Sequence, residues 1–556
     1  MHADLLGKIK HNGEVNSREF WKAARGEHRT TPINTLRKKD GSLTDSVEST
    51  VKRAAEYFDD LFKSKMEDKK KIKSLKKKIN HALNEKFTKK EIRQHIKRLK
   101  NGKAVGPDGI PNEFLKAGGE KLETALEQLL NEIHEKEIIP SSWNDGLMNI
   151  LYKGKGDITD MSNSRGITIN NSMSKLFANM LNSRLTEFIE KIGLLGEFQN
   201  GFRKTRQAND NLFVLRNIIE RGRITSGGSK GNVSLCFVDL KKAYDTIPRD
   251  LLWETMENLG FKGKFLNLIK ALYGHDNIKI VVNGIESEPI YPKRGLKQGC
   301  PLSPVLFAIY MVELTNELHK TKEGLWIGGI VISILLFADD MVLIGKSRAA
   351  VERLLTKLIK CLEELGMEIN TKKTEFLEVT PTSELPITVY ATNGEVIGDI
   401  LYSLKYKYLG VDIFVKNRMS IFKKKHEVMV HRAKSMAKTI KSMAARSCDT
   451  AWVATELWFK VAIPTILYAC EITEISSKVM TTIEGLHGQM AAFVLGVDGN
   501  CSHAGILREV GWCSLSNLMF KRKLKIFHRL CAMEDTRLAK AVFNDCFSSI
   551  DGVSLP

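Results

Sequence analysis

The apolar positions of this chain change rhythm along its length. From Ile334 to Gly345 the sequence reads ILLFADDMVLIG: an apolar run, a small alanine, two aspartates and a second apolar run. That pattern predicts a tight β-hairpin with the aspartates at its tip. Further upstream, VSLCFVDL (Val233–Leu240) is an apolar run of strand length, which predicts a buried strand carrying Asp239 at its end and leading into a helix. Helical spacing recurs across Phe114–Ile139, and a long apolar helix is expected from about Val305. Gly- and Pro-rich stretches separate these elements: NGKAVGPDGIP (Asn101–Pro111), TSGGSKGN (Thr225–Asn232) and YPKRGLKQGCPLSP (Tyr291–Pro304). Residues 1–62 read as helices joined by a turn at Lys38–Ser42, followed by a basic, mainly helical stretch. Beyond about Lys416 the chain is helical and basic, without strand patterning or any internal repeat.

Composition narrows the class. With 556 residues and 43% hydrophobic content the chain can build several packed domains and is not a disordered protein. A formal charge of +20 favours a polyanionic partner, either nucleic acid or an anionic membrane surface. The run KKKIKSLKKK (Lys69–Lys78) is a nuclear-localisation or nucleic-acid signal, or else a solvated basic helix. Nine cysteines without a CxxC argue against a disulfide framework or a zinc ribbon. The charged start MHADLLGKIK does not fit a signal peptide, and the longest apolar stretch has both aspartates near its middle, which suits no membrane span. A reducing, soluble compartment is expected, with no membrane partner.

The paired carboxylates need a physical reason. Strand side chains alternate faces, so Asp339 and Asp340 can reach one site together only if a turn intervenes. The chemistry that asks for this is hard-cation binding by oxygen ligands; a capping or turn pair on a surface hairpin is the alternative. Asp239 joins them only if its strand is a neighbour in the same sheet. Three carboxylates at one sheet edge call for divalent cations. Two Mg²⁺ ions bridged by carboxylates are the general device for activating an attacking oxygen and stabilising a leaving phosphate oxygen.

FVDLKKAYD, RGLKQGCPLSPVLF and LLFADD, in this order, resemble motifs A, B and C of a reverse transcriptase, and more narrowly those of the non-LTR (LINE-type) retrotransposon family. NGKAVGPDGIPNEFLK, LYKGKGDITDMSNSRGITINNSMSKLFANMLNSRL and QNGFRKTRQANDNLFVLR resemble its finger segments. GMEINTKKTEF resembles motif D, LKYKYLGV the hairpin after it, and FWKAARGEH with LRKKDGSLTD the upstream linker. No endonuclease or RNase H pattern is recognised, so the chain resembles the polymerase portion of such an element. The resemblance implies an α+β right-hand polymerase with fingers, a palm of antiparallel sheet plus helices, and a helical thumb. The implied divisions are 1–84 (linker and basic helices), 85–410 (fingers and palm), 411–500 (thumb) and 501–556 (C-terminal helices).

Carried over by position, the resemblance makes Asp239, Asp339 and Asp340 ligands of two Mg²⁺ ions, with Mn²⁺ a substitute. Tyr244 becomes the aromatic that excludes a nucleotide 2′-OH. Gln298 and Gly299 line the nucleotide and template pocket, and Arg165 clamps triphosphate oxygens in a loop that reads SRGIT where many relatives have YRPIS. Lys373, or Lys372 one position earlier, becomes a proton donor to pyrophosphate. Lys153, Lys155, Arg203 and Lys204 become template or phosphate contacts, and Arg294 either contacts nucleic acid or braces its loop. In the thumb, Lys423, Lys424 and Lys425 belong to a basic surface that tracks phosphates. The expected partners are an RNA template, a DNA primer and dNTPs, in the nucleus or cytoplasm; the oligomeric state is left open. The alternative is a catalytically silent or domesticated RNA- or DNA-binding protein that retains the fold.

Overall fold

The computed structural model describes residues 33–63, 81–221, 233–379, 383–414, 426–447, 449–498 and 501–548. Lys69–Lys78, the Thr225–Asn232 loop and Lys423–Lys425 lie outside the described residues. In chain order the strands are β1 (Asp145–Tyr152), β2 (Ser164–Asn170), β3 (Ser234–Val238), β4 (Asn277–Val282), β5 (Ile285–Glu286), β6 (Leu325–Ile327) and β7 (Ile330–Ile332). They continue with β8 (Ile334–Phe337), β9 (Asp340–Gly345), β10 (Glu375–Glu378), β11 (Ile387–Tyr390), β12 (Val396–Tyr402), β13 (Lys405–Tyr408) and β14 (Val411–Phe414).

The central sheet has the order β11-β12-β10-β3-β9-β8. Its pairs are antiparallel except β10–β12, which the expectation of an antiparallel palm sheet did not include. Apart from Ser234, whose hydroxyl donates to Glu378 Oε1, strand β3 is apolar because both faces are covered, and its side chains alternate between two cores. Cys236 and Val238 join a core with the helices Ser303–Tyr310 and Arg348–Glu364, through Leu306, Phe307, Leu354 and Leu358. Leu235 and Phe237 join a second core with Leu212, Leu215 and Ile219 of the helix Ala208–Arg221. Phe237 also stacks on Tyr406 of the β13–β14 hairpin at 4.3 Å between ring centroids.

A smaller sheet has the order β2-β1-β4-β5 and takes in the start of LYKGKGDITDMSNSRGITIN through β1 and β2. The helix Val47–Phe62 packs on it through Val51, Ala54, Phe58 and Phe62, against Met148, Ile278 and Ile280. That helix starts at a capping box: Ser46 Oγ accepts from the Ser49 N–H, and Ser49 Oγ accepts from the Ser46 N–H. The upstream stretch, expected to be a linker and basic helices, contributes Val47–Phe62 to this core.

Two other expected divisions also shift. A boundary at residue 411 would split the β13–β14 hairpin. The helical bundle formed by His426–Ala444, Thr450–Leu457 and Ser477–Leu495 has its own core around Ala433, Trp458 and Ile483, and this core extends to Trp512 and Leu515. The C-terminal end then returns to the central sheet's second core through Leu530, Leu538 and Val542. There the buried carboxylate of Asp210 pairs with Arg529 and Arg537.

Candidate active site

The strands bring the three sequence-singled aspartates to one sheet edge. Val238 of β3 pairs with Met341 of β9, so the antiparallel register carried one step further sets Asp239 opposite Asp340. Directly opposed residues share a face. Phe337 pairs with Asp340, leaving Ala338 and Asp339 as a two-residue turn between β8 and β9. Ala338 has φ +61° and Asp339 does not have a positive φ, the pattern of a II′-type hairpin turn.

This edge gathers negative charge that the Lys373 ammonium near Asp239 offsets only in part. Desolvation raises the Asp339 carboxyl, opposed by its own backbone N–H and aided by the charge of Asp239. Desolvation, then the charges of Asp339 and Asp239, push Asp340 up to about 6. Both residues are nonetheless exposed at the turn, so water screens part of this repulsion. Oxygen donors under mutual repulsion suit a hard divalent cation. Among the described residues, no three acidic, histidine or cysteine side chains are already gathered tightly enough to hold an ion.

Asp239 is held by the loop before β10. Asn370 Nδ2 donates to Asp239 Oδ2 at 2.9 Å, and the Asp239 N–H donates to Thr374 Oγ1 at 3.2 Å. The Asn370 N–H also donates to the Asp239 carbonyl at 2.8 Å. Lys373 Nζ lies 4.0 Å from Asp239 Oδ2 on a largely exposed side chain, so Lys373 is the lysine of its pair that reaches the carboxylates. Neither Asn370 nor Thr374 was singled out from the sequence; both sit in NTKKT, whose lysines drew the attention.

Tyr244 lies on the short helix Ala243–Thr246, stacked on Phe307 at 4.7 Å with an interplanar angle of 13°. Its hydroxyl is buried without a hydrogen-bond partner among the described residues, and desolvation, with the nearby Asp339 charge, raises its pKa. One N–H of the Gln298 amide is already engaged: its Nε2 donates to Asp245 Oδ1 at 2.7 Å. Burial pushes the Asp245 carboxyl up, against the Gln298 bond and the charges of Lys242, Lys153 and Arg165. Gly299 has φ +117°, and a Cβ there would lie 2.5 Å from the Thr168 carbonyl of β2, so glycine permits this close approach.

The expected basic contacts divide. Arg165 is exposed on β2, and SRGIT forms regular strand there, paired through Leu151. Lys153 Nζ donates to the Ser162 carbonyl at 2.8 Å; desolvation, then the charges of Lys373 and Arg165, lower its pKa. Lys153 thus feels the charges of Lys373 and Arg165 and, in the opposite sense, those of Asp245 and Asp239. Lys155 and Lys204 are exposed. Arg203 departs from expectation: its guanidinium is buried, pairs with Glu190 at 2.7 Å, and donates to the Gly196 and Gln199 carbonyls. A charge spent this way braces the loop and is not available to phosphate. Arg294 also braces, donating from Nε to the Leu61 carbonyl at 2.8 Å.

The helix Val47–Phe62 reaches this rim as well. Lys242 Nζ donates to the Tyr57 hydroxyl and lies 4.4 Å from the ring centroid, and desolvation with the Asp245 charge pushes Tyr57 up to about 12. No local pattern around Tyr57 signals this contact, because it is made across 185 residues of chain.

Comparison with known families matches residues 153–413 to "Reverse transcriptase (RNA-dependent DNA polymerase)". Among curated proteins, the chain is 26% identical over 314 residues to a retrovirus-related Pol polyprotein of a type-1 R2 retrotransposable element from Nasonia vitripennis, covering 55% of this chain and 29% of that protein. It is 22% identical over 417 residues to the RNA-directed DNA polymerase of mobile element jockey from Drosophila funebris, covering 74% and 44%. A probable RNA-directed DNA polymerase of the Drosophila melanogaster X-element is 21% identical over 463 residues, covering 81% and 48%. The chain spans less than half the length of these relatives. Among solved structures, an apo telomerase from Candida tropicalis, truncated from its C-terminal domain, matches with a TM-score of 0.35 and 13% identity over 52% of this chain and 59% of that one. The mixed helix-and-sheet architecture is consistent with a right-hand polymerase. Among the described residues, no helix is long and apolar enough to cross a membrane.

Proposed function

Since residues 153–413 form a reverse transcriptase domain, we propose that this chain acts as an RNA-directed DNA polymerase of the non-LTR retrotransposon type. It would extend a DNA primer on an RNA template by attack of the primer 3′-OH on the α-phosphate of a dNTP, with release of pyrophosphate. The observation that carries the reading is the register that sets Asp239 against Asp340, with Asp339 in the adjoining turn.

Asp239, Asp339 and Asp340 would hold two Mg²⁺ ions, or Mn²⁺ in their place. Bound there, the ions would supply Lewis-acid activation of the attacking oxygen and charge stabilisation for the leaving one. The chain's own residues do the positioning. Asn370 and Thr374 orient Asp239. Arg165, Lys153 and Lys373 present positive charge where a triphosphate would lie, and the Lys373 ammonium can protonate the departing pyrophosphate oxygen. The Tyr244 ring, backed by Phe307, is a wall against a ribose 2′-OH. A nuclear or cytoplasmic setting follows from the same reading.

Primer extension with oligo(dT), poly(rA), Mg²⁺ and dTTP tests it, with Asp339→Ala alongside the wild type. Extension by the wild type alone is the expected result. Binding of the duplex by both proteins with extension by neither would favour a nucleic-acid-binding protein that keeps the fold without the chemistry.

A further inference from the structure

The turn that carries Asp339 leaves the N–H and the carbonyl of both Ala338 and Asp339 outside the strand ladder. In a two-residue hairpin turn the flanking pair closes the ladder, here Phe337 with Asp340, and the peptide groups of the central residues must find partners elsewhere. Ala338 also has φ +61°, the left-handed conformation that a residue with a Cβ takes unwillingly. Something outside the hairpin has to hold it there.

Gln199 meets that need from a distant part of the chain. It is buried, and its side chain grips the Ala338 residue on both polar sides. The Ala338 N–H donates to Gln199 Oε1 at 2.9 Å, and Gln199 Nε2 donates to the Ala338 carbonyl at 3.3 Å. The same Oε1 accepts from the Gly201 N–H at 2.9 Å, which fixes the amide against its own loop. The segment is docked on β8 by two further bonds, from the Leu336 N–H to the Phe198 carbonyl at 2.8 Å and from the Asn200 N–H to the Leu336 carbonyl at 3.0 Å. Gly201 lies so close to the turn that a Cβ would collide with the Ala338 nitrogen. Arg203, spent on Glu190 and on the Gly196 and Gln199 carbonyls, stiffens the same loop from behind.

We propose that Gln199 is a positioning residue for the metal site: by clamping both polar groups of Ala338 it sets the turn that aims Asp339 and Asp340. The inference rests on the proposed role of those aspartates as metal ligands. Its chemistry is that of an outer partner that orients a ligand without touching the ion, and removal of such partners lowers metal affinity by about 10- to 100-fold. Glutamine suits the position because one amide offers both an acceptor and a donor at fixed spacing. Methionine of similar length offers neither.

The test is a Mn²⁺ titration read by the electron paramagnetic resonance of the free ion, on the full chain bound to an RNA template and a dideoxy-terminated primer. The wild type, Asp339→Asn, Gln199→Met and Gln199→Met combined with Ala338→Gly are compared, each with its melting temperature and duplex affinity. The expected result is Mn²⁺ binding by the wild type, loss in Asp339→Asn, and at least about tenfold weaker binding in Gln199→Met with duplex affinity retained. Adding Ala338→Gly should recover part of the loss, because glycine takes the left-handed conformation without a clamp. In extension assays the Gln199→Met defect should be an increased apparent KM for Mg²⁺, with kcat largely recovered at saturating metal. If Gln199→Met does not fold, Gln199→Asn, too short to span both groups, is read by the same criteria. Mn²⁺ binding in the Gln199 variant as tight as in the wild type, with Asp339→Asn impaired, overturns the role of Gln199 and leaves the metal site standing. Equal binding by the wild type and Asp339→Asn overturns the metal site and this inference together.

Discussion

Asp239, one residue past the end of β3, falls opposite Asp340, the first residue of β9, in the register continued from Val238 and Met341. Each depends on the other's strand for its place, and neither is interchangeable with a neutral side chain if both hold a metal. Asp239→Asn and Asp340→Asn should each reduce primer extension by at least about 10²-fold, the size of effect seen when a preorganised electrostatic group is removed. Duplex affinity, measured by fluorescence anisotropy across a salt series, should stay within about twofold because phosphate contacts carry most of it.

Asn370 is the side chain that holds Asp239 Oδ2. A hydrogen bond to a charged group contributes about 1.5–3 kcal/mol, so Asn370→Ala should reduce kcat/KM by about tenfold or somewhat more. Asn370→Asp should be worse, since it places a like charge against Asp239. Steady-state kinetics at several Mg²⁺ concentrations distinguish the two variants.

The raised carboxyl of Asp340 has a consequence for stability without divalent ions. Its folded value of about 6 lies above the ordinary 3.8. Between those values the folded state binds more protons than the unfolded one, so this group's contribution to stability is present below about pH 4 and lost as pH rises through 6. Discounted for solvent screening at this exposed turn, the effect is on the order of 1 kcal/mol. Asp340→Asn should therefore melt higher than the wild type at pH 7 in EDTA and lose that advantage near pH 4. Thermal melts across this pH range check it.

Tyr244 is set by its stack on Phe307. Tyr244→Ala should raise ribonucleotide incorporation relative to deoxyribonucleotide. Phe307→Ala should do the same more weakly, while also costing about 3–5 kcal/mol of stability as a buried aromatic truncation. Competition between dTTP and UTP in single-nucleotide extension measures the first effect, and denaturant melts the second.

Asp210 is buried and answers to two arginines near the C-terminal end, Arg529 on the helix Leu515–Cys531 and Arg537 just before the helix Leu538–Ser548. Removing both leaves a buried charge with no cation beside it and only the Gln207 N–H to bond it, which costs about 3–5 kcal/mol. The double variant Arg529→Ala with Arg537→Ala should melt well below the wild type, and adding Asp210→Asn should recover much of the difference.

The local sequence determined a good deal. The run Val233–Val238 has Ser234 as its one polar side chain, too little to hold it at the surface, so it had to be a covered strand; its use of both faces appears as alternation between two cores. The run–ADD–run pattern around Asp339 dictated a hairpin because two charges between apolar strands can reach water only at a turn. Ordered motifs on these elements also made the polymerase reading legible, together with the aspartates that sit on them.

What the sequence left undecided were choices made across long stretches of chain. The charge of Arg203 reads locally as a phosphate contact, yet Glu190 and two carbonyls claim it once the loop closes. Gln298 reads as a nucleotide contact, and nothing local signals that one of its amide N–H groups is taken by Asp245. Gln199 carries no sign of its partner at Ala338, because that partner is an ordinary backbone peptide exposed only by the geometry of a distant turn. Hydrophobic periodicity is written in neighbouring residues, whereas the pairing of a polar side chain depends on which donor and acceptor the packed core brings within 3 Å or so. Tertiary structure alone decides that.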